Sequence, residues 1–511
     1  MALTAVALPA AKAQTAQPAA KGKTALPAAK AQPAAKGKTA QPAAKAQPAA
    51  KAQPNPAEIR PEDYRISRKD LQKAMDILYG PEPENFVYPN PAPGAQWYPQ
   101  AGLGLFMHWG IHSMIGAQPS WNMIKDYEWG GEYHSREEYY GQAYRFDPQD
   151  YHPERYLQAA ADAGFTYAVL TTRHHDGYAL WPSKYGIGTK QYMHGRDLLE
   201  PYVKACRDAG LKVGFYFSPR DWHYPGDRPE TEWDVATWGK RGPVKDTVAN
   251  RKAFEHFFAY VIAQLEELLT RYGKIDVLWL DGMGWYGIPV QDLQTDKVYA
   301  WIRSLQPDIV INDRWGNIVN PDNPEGTSVR IGDFTTPFEC QTPTYVPSAW
   351  WEHCHIWNGK GGGWGYNMKG LFKPFSWFME EYVASRSLGG NFLINVGPSG
   401  TGDMHPNFYR EIAKVQAWMA TGAESVCGCG PSPGVERSNV PLTTRGADIW
   451  YAHVLARIKG QVSVKTDRQP KEVILLRTGE PVSTIWRDGF LHFKLPKSSR
   501  TDADDVVKIT F

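Results

Sequence analysis

The sequence predicts an α/β protein: a (β/α)8-like barrel domain, a C-terminal antiparallel β-sandwich and a disordered N-terminal tail. Three observations lead to this prediction. From Glu58 onwards, short apolar β-rich runs alternate with amphipathic helical stretches, which is the α/β pattern. Near Glu424 this alternation gives way to short strands separated by Gly, Pro and Asp turns. The first 55 residues show no apolar periodicity, and 511 residues are enough for two folded domains.

Residues 1–57 form the predicted tail. The nonapeptide QPAAKGKTA occurs at residues 17–25 and again at 32–40, inside a tract of Ala, Pro, Lys and Gln that cannot offset its own ordering entropy. We expect a solvated spacer, with a tether to a cell wall or polyanion as the alternative. The opening MALTAVALPAAKAQ resembles the end of a signal peptide without its charged beginning, so we expect a secreted or periplasmic protein, with a cytoplasmic one as the alternative.

Composition excludes several classes of protein. The formal net charge is +2, and residues 1–55 contribute eight lysines and no acidic residue, so the remainder carries −6 and nucleic acid is not an expected partner. No apolar run approaches the roughly 20 residues of a membrane span. The five cysteines (206, 340, 354, 427 and 429) contain no C-x-x-C pair, so neither a structural zinc site nor a dense disulfide framework is predicted.

Residues 58–425 contain eight predicted strands, which favours a barrel. They are Gly104–His108, Tyr167–Arg173, Lys212–Ser218, Ile275–Asp281, Asp308–Asn312, Val329–Glu339, the segment before Gly365, and Asn391–Val396. The predicted helices between them include Pro153–Ala163 and Asn250–Tyr272. Residues 426–511 contain the runs ADIWYAHVL, EVILLR, STIWRDGFLHFKL and DVVKITF, which are typical of an antiparallel sandwich.

Reactive side chains follow the carboxyl ends of several predicted strands, where barrel enzymes hold their catalytic groups. These segments are His108-Trp109-Gly110, His174-His175-Asp176-Gly177, Trp279-Leu280-Asp281-Gly282 and Asn312-Asp313-Arg314-Trp315. A single histidine at a strand end is usually structural, but repetition at four strand ends indicates a polar functional site.

An ordered set of motifs carries a resemblance to a known family. The segments are LGLFMHWGIHS, AGFTYAVLTTRHHDGYALWPSKY, LKVGFYFSPRDWHYP, DVLWLDGMGW, INDRWG, WGYN and SLGGNFLINVGPSGTGDM. Between about residues 95 and 425 the chain resembles the α-L-fucosidases of glycoside hydrolase family 29 in motif order and spacing.

The resemblance implies a retaining exo-glycosidase that removes terminal α-L-fucosyl residues from glycans by double displacement, with two carboxyl groups about 5–5.5 Å apart. Asp281 matches the family's nucleophile. Glu339, in DFTTPFEC, is the predicted acid/base, and Glu352, in WWEHC, is the second candidate. The implied partner is a fucosylated oligosaccharide or glycoconjugate, and neither a cofactor nor a metal is expected. The oligomeric state is not predicted.

The resemblance also implies residues that bind the sugar. His108, His174 and His175 match hydroxyl-binding histidines. Arg314 matches an arginine near the sugar or the acid/base, with a structural pairing to Asp313 or Asp281 as the alternative. Trp364 is the predicted stacking platform, with Tyr216 and Trp279 as weaker candidates.

One loop departs from the family pattern, which has a Glu-Trp pair after the first strand. Here the region reads PSWNMIKDYEWGGEYHS. Either Glu128 and Trp129 supply the pair, or Trp121 takes the tryptophan position without its acid. A changed loop of this kind leaves a related sugar, such as an α-L-galactoside, as an alternative substrate.

Two other classes of function are alternatives. A metal-dependent hydrolase would use His108, His112, His174 and His175, but adjacent histidines are expected to leave a strand in opposite directions and no H-E-x-x-H-like helix is present. A non-catalytic sugar-binding relative is disfavoured because Asp281 and a suitable glutamate are retained.

Overall fold

The computed structural model describes residues 55–125, 131–225, 248–281, 294–315, 331–360 and 362–511, without the side chains of residues 248–250 and 435. Within these residues the helices are α1 Arg68–Tyr79, α2 Arg136–Gly141, α3 Pro153–Asp162, α4 Thr189–Tyr192, α5 Leu199–Asp208, α6 Val248–Arg271, α7 Thr295–Leu305, α8 Phe375–Ser387 and α9 Pro406–Gly422. None of the helices in these ranges combines the length and apolarity needed to cross a bilayer.

The described residues contain eight parallel strands that form the barrel. They are β1 Leu103–Met107, β2 Tyr167–Arg173, β3 Lys212–Phe217, β4 Val277–Leu280, β5 Val310–Ile311, β6 Phe334–Thr335, β7 Trp350–Ile356 and β8 Asn391–Asn395. The spatial order is β5-β4-β3-β2-β1-β8-β7-β6. A parallel bridge between Asn312 and Phe334 joins the two end strands and nearly closes the sheet. The predicted barrel is confirmed.

The strands read as continuous apolar runs because both of their faces are buried. Along β2 and β4, Val169 and Trp279 belong to the cluster inside the barrel, whereas Leu170 and Leu278 pack outwards against the helices. This alternation with period two follows from the pleat of a strand. It assigns alternate positions to the barrel interior and to the helix layer.

Most predicted boundaries agree with the structure to within two residues, but the strands β5 and β6 are shorter than predicted. The strand at Tyr167–Arg173 matches to the residue, and the helix predicted at Asn250–Tyr272 spans Val248–Arg271. The strand predicted at Val329–Glu339 pairs only at Phe334–Thr335 among the described residues. Pro337, which has no N–H to contribute to a ladder, stops it two residues later.

The C-terminal strands build a β-sandwich, as predicted. They are β9 Leu442–Arg445, β10 Ile449–Leu455, β11 Val462–Lys465, β12 Glu472–Leu475, β13 Glu480–Pro481, β14 Thr484–Arg487, β15 Phe490–Phe493 and β16 Asp504–Thr510. One antiparallel sheet has the order β13-β12-β16-β10-β9, and the second has the order β11-β15-β14. Side chains of both sheets, including Val454, Val464, Phe493 and Ile509, form one apolar core.

Candidate active site

A cavity of about 320 Å³ lies at the carboxyl ends of the barrel strands. Its walls are Phe106, His108, Trp121, His174, His175, Tyr216, Arg220, Trp222, Trp279, Asp281, Arg314, Glu339 and Trp364. A larger cavity, of about 650 Å³, lies between the α9 region and the C-terminal strands and contains none of the strand-end residues. The smaller cavity is therefore the candidate active site, because chemistry in this fold takes place at the strand ends.

Asp281 directly follows β4 and is held by groups on both carboxylate oxygens. The Tyr216 hydroxyl donates to Oδ2 at 2.7 Å, and Arg314 Nη1 donates to Oδ1 at 3.2 Å. His175 Nε2 lies 3.6 Å from Oδ2. Burial and the neighbouring Asp281 raise the pKa of Tyr216 well above its usual value, so the phenol keeps its proton and acts as a donor. These contacts orient the carboxylate in the cavity wall.

Arg314 connects Asp281 to the second carboxylate of the cavity. Its Nη2 pairs with Glu339 Oε2, its Nε donates to Thr336 Oγ1 at 2.7 Å, and its guanidinium lies 4.4 Å from the centre of the Trp279 ring. A planar guanidinium presents several donors in fixed directions. One side chain therefore sets the positions of both Asp281 and Glu339 relative to the cavity.

Glu352 occupies a different environment inside the barrel. The residue is fully buried on β7, and it accepts hydrogen bonds from Tyr98 (3.1 Å), Tyr167 (2.5 Å) and Trp279 Nε1 (2.9 Å). Burial raises its pKa above the usual value. It is not among the residues that line the cavity. The geometry therefore favours Glu339 over Glu352 as the group that meets a substrate.

Among the described residues, three histidines line the cavity, and each is anchored through Nδ1. His108 Nδ1 lies 2.7 Å from Asn395 Oδ1, His174 Nδ1 lies 2.7 Å from Ser120 Oγ, and His175 Nδ1 lies 2.6 Å from Ser218 Oγ. Burial lowers the pKa of His108 to about 4 and that of His174 well below its usual value. Both rings are consequently neutral at pH 7.

The expectation that His174 and His175 point in opposite directions is wrong. Their ring centres are 4.2 Å apart, and both side chains face the same cavity. Strand β2 ends at Arg173, so the alternation of a strand does not apply to the two residues that follow it. His112, the remaining histidine of the metal hypothesis, is buried outside the cavity wall.

Ligand atoms of His174, His175 and Asp281 lie within 4.8 Å of one another, a spacing at which a metal ion can be held. The Arg314 guanidinium already contacts Asp281, and its positive charge opposes a second cation at the same carboxylate. The absence of a catalytic metal therefore stays a prediction.

Aromatic rings make up much of the remaining wall, and Trp364, Tyr216 and Trp279 all belong to it. Their roles as stacking platforms stay predictions. Tyr216 and Trp279 stack with ring centres 5.7 Å apart. The indole N–H of Trp279 is engaged by Glu352, so this ring offers the cavity only its apolar surface.

The structure describes part of the loop after β1 that departs from the family pattern. Trp121 lies in the cavity wall and packs edge-on against His175 and Trp222, and its preceding residue is Ser120 rather than an acid. Glu128 and Trp129 lie outside the described residues. Phe106, Arg220 and Trp222 also line the cavity, although none of them was predicted to bind the sugar. The signal for the last two was their position in SPRDWHYP, immediately after β3.

Residues 73–424 match the family model described as alpha-L-fucosidase. The chain is 28% identical over 360 residues to the tissue alpha-L-fucosidase of Rattus norvegicus, which covers 66% of this chain and 71% of that protein.

Solved structures show the same fold. Alpha-L-fucosidase isoenzyme 1 from Paenibacillus thiaminolyticus is similar with a TM-score of 0.65 and 29% identity, covering 82% of this chain and 98% of that one. A family 29 alpha-L-fucosidase from Bacteroides thetaiotaomicron, trapped as a covalent intermediate with 2-fluoro-fucosyl fluoride, has a TM-score of 0.69 at 24% identity and covers 83% and 98%.

Proposed function

This chain belongs to the alpha-L-fucosidase family, and from that premise we propose that it hydrolyses terminal α-L-fucosyl residues with retention, using Asp281 as nucleophile and Glu339 as acid/base. The observation that carries the proposal is the Arg314 bridge. One guanidinium contacts both carboxylates in the wall of a single cavity. Retaining glycosidases hold their two carboxyl groups about 5–5.5 Å apart, so that one of them attacks the sugar directly instead of activating a water. Contact with the same guanidinium keeps Asp281 and Glu339 close together, as this mechanism requires.

In the first step, Asp281 attacks the anomeric carbon and forms a glycosyl ester. Tyr216 and Arg314 hold the two oxygens of Asp281, so the carboxylate is already oriented in the cavity wall before the reaction begins. Such pre-positioning lowers the entropic part of the barrier. As Asp281 loses its negative charge in the ester, Glu339 gives its proton to the departing oxygen and becomes the carboxylate that pairs with Arg314.

Glu339 then serves both steps. It protonates the departing oxygen in the first step and removes a proton from water in the second, as a single group does in retaining enzymes. Its side chain is 42% exposed, which suits a group that must reach both a leaving alcohol and incoming water.

The cavity size supports removal of a terminal residue. About 320 Å³ accommodates roughly one monosaccharide between the histidines and the aromatic wall. His108 and His174 supply neutral hydrogen-bonding nitrogens for hydroxyl groups. Phe106, Trp279 and Trp364 supply apolar surface for a methyl group and the C–H face of the ring. An α-L-galactoside, which carries a hydroxyl in place of a hydrogen on that methyl, is the alternative substrate.

The decisive experiment compares hydrolysis of 4-nitrophenyl α-L-fucoside, the corresponding α-L-galactoside and a branched fucosyl trisaccharide. The anomer released first is followed by NMR. We expect fucoside turnover with α-L-fucose as the first product. Release of β-L-fucose would contradict retention, and faster turnover of the galactoside would reassign the sugar.

The N-terminal segment of the chain supports a proposal about the cellular location of the enzyme. The signal-like opening MALTAVALPAAKAQ is the basis for proposing a secreted or periplasmic enzyme. Fractionation of the native cells, with fucosidase activity recovered only from the cytoplasm, would refute it.

A further inference from the structure

For two of the cavity histidines, His108 and His174, the hydrogen-bond partners determine which ring nitrogen carries the proton. His108 faces the amide of Asn395, whose Nδ2 donates to the backbone oxygen of Trp364 at 2.7 Å. That bond fixes the orientation of the amide, so Asn395 turns its oxygen towards His108. An amide oxygen only accepts hydrogen bonds, and His108 Nδ1 must therefore carry the ring proton. The opposite nitrogen, Nε2, then presents a lone pair.

His174 has the reverse arrangement. Its partner Ser120 is fully buried, and Ser120 Oγ accepts a hydrogen bond from the backbone N–H of Asp176 at 2.8 Å. Among the described residues, the acceptor available to the hydroxyl hydrogen of Ser120 is His174 Nδ1. If His174 carried its proton on Nδ1 instead, a buried hydroxyl hydrogen would have no acceptor, which is unfavourable. The proton of His174 is therefore on Nε2.

We propose that Ser120 and Asn395 are positioning residues that make His174 a hydrogen-bond donor and His108 a hydrogen-bond acceptor towards the sugar. The proposal rests on the fucosidase function and deepens it. The two rings are neighbours, with centres 5.7 Å apart. The enzyme thus selects a sugar with one hydroxyl that donates to His108 and another that accepts from His174. A ligand that can only accept, or only donate, at both positions is rejected.

A network outside the cavity holds Ser120 in this role. Its backbone N–H donates to the Tyr139 hydroxyl at 2.7 Å, and Tyr139 donates to Asp176 Oδ2 at 2.7 Å. Ser120 has a φ of 60°, a left-handed conformation that is uncommon for residues other than glycine. The surrounding bonds therefore fix both the backbone and the hydroxyl that faces His174.

The direct test reads the two tautomers in the full-length wild-type protein. Nitrogen-15 NMR of histidine-labelled protein distinguishes the protonated ring nitrogen from the unprotonated one, and His108→Gln and His174→Gln variants assign the signals. We expect Nδ1–H at His108 and Nε2–H at His174 at pH 7. Any other pair of tautomers overturns the proposal. This readout does not depend on activity, so it stands even if the fucosidase function fails.

A second measurement uses wild-type enzyme and competitive inhibition by L-fucose and by its deoxy and deoxyfluoro analogues at C2, C3 and C4. Fluorine cannot donate a hydrogen bond and accepts only weakly. At the hydroxyl that donates to His108, the fluoro analogue should bind as poorly as the deoxy analogue. At the hydroxyl that accepts from His174, the fluoro analogue should bind several-fold better than the deoxy analogue. Identical behaviour at every position contradicts the proposal.

The role of Ser120 is tested by Ser120→Ala. We expect the inhibition constant of L-fucose to rise roughly tenfold, the equivalent of one lost hydrogen bond, and the His174 signal to become a mixture of tautomers. Ser113→Ala is the matched control, because Ser113 is also buried and its hydroxyl has no hydrogen-bond partner in the described structure. If the Ser120→Ala protein retains one Nε2–H tautomer and normal affinity, Ser120 is not a positioning residue.

Discussion

The variants Glu339→Ala and Glu352→Ala, compared in parallel, distinguish the catalytic acid/base from a buried carboxylate that stabilises the fold. Glu339 is 42% exposed and pairs with Arg314, so Glu339→Ala should change the free energy of unfolding by less than about 1 kcal/mol. A general acid contributes roughly 10²–10⁴-fold. The value of kcat/KM for a fucosyl oligosaccharide should fall by that factor. The corresponding value for an aryl fucoside should fall about tenfold at most, since a good leaving group needs little protonation.

Glu352→Ala should give the opposite result. The change leaves Tyr98, Tyr167 and Trp279 with buried donors and no acceptor, at roughly 1–3 kcal/mol each. The substitution also removes the desolvation cost of a buried carboxylate, which offsets part of that loss. We therefore expect the free energy of unfolding to fall by about 3–5 kcal/mol. Because Trp279 also lines the cavity, KM should rise, with no dependence on the leaving group.

The assay measures kcat/KM over a series of aryl fucosides whose leaving groups increase in pKa, together with urea denaturation of both variants. A steep dependence on leaving-group pKa is expected only for Glu339→Ala. If Glu352→Ala folds with normal stability and shows the steep dependence while Glu339→Ala does not, the assignment of the acid/base is wrong.

Three further predictions concern the nucleophile, metal and pH. Asp281→Ala should lower fucoside turnover by roughly 10⁴-fold or more, and azide should restore it as a fucosyl azide of inverted configuration; normal turnover would exclude Asp281 as nucleophile. EDTA should leave wild-type turnover unchanged, whereas a loss reversed by Zn²⁺ would point to a metal on His174, His175 and Asp281. Stability should decline as pH falls from about 6.5 towards 4, because burial lowers the pKa of His108 to about 4 and that of His112 to about 3, and only the unfolded chain takes up the protons. Each of these histidines adds about 1.4 kcal/mol per pH unit to the dependence of the unfolding free energy on pH in that window. When the unfolding free energy of His112→Gln is measured by urea denaturation across this pH range, its change per pH unit should be smaller by that amount. An unchanged pH dependence would refute this explanation.

Local patterns predicted the long elements of the barrel. Apolar runs and helical periodicity depend only on neighbouring residues, so β2 and α6 were placed to within two residues. The ends of β5 and β6 were missed because they depend on barrel closure near Asn312 and on Pro337. The direction of His174 and His175 was missed because it depends on where β2 stops.

For the candidate site, the sequence alone determined the strand-end positions of Asp281 and Arg314 and the motif order that indicates the family. Only the tertiary structure decided that Glu339 faces the cavity while Glu352 is buried beneath it, and that Asn395 and Ser120 hold His108 and His174. These partners are 287 and 54 residues apart in the chain. Sequence periodicity reports which face of its own strand or helix a residue occupies, whereas contacts across such separations arise only when the barrel closes.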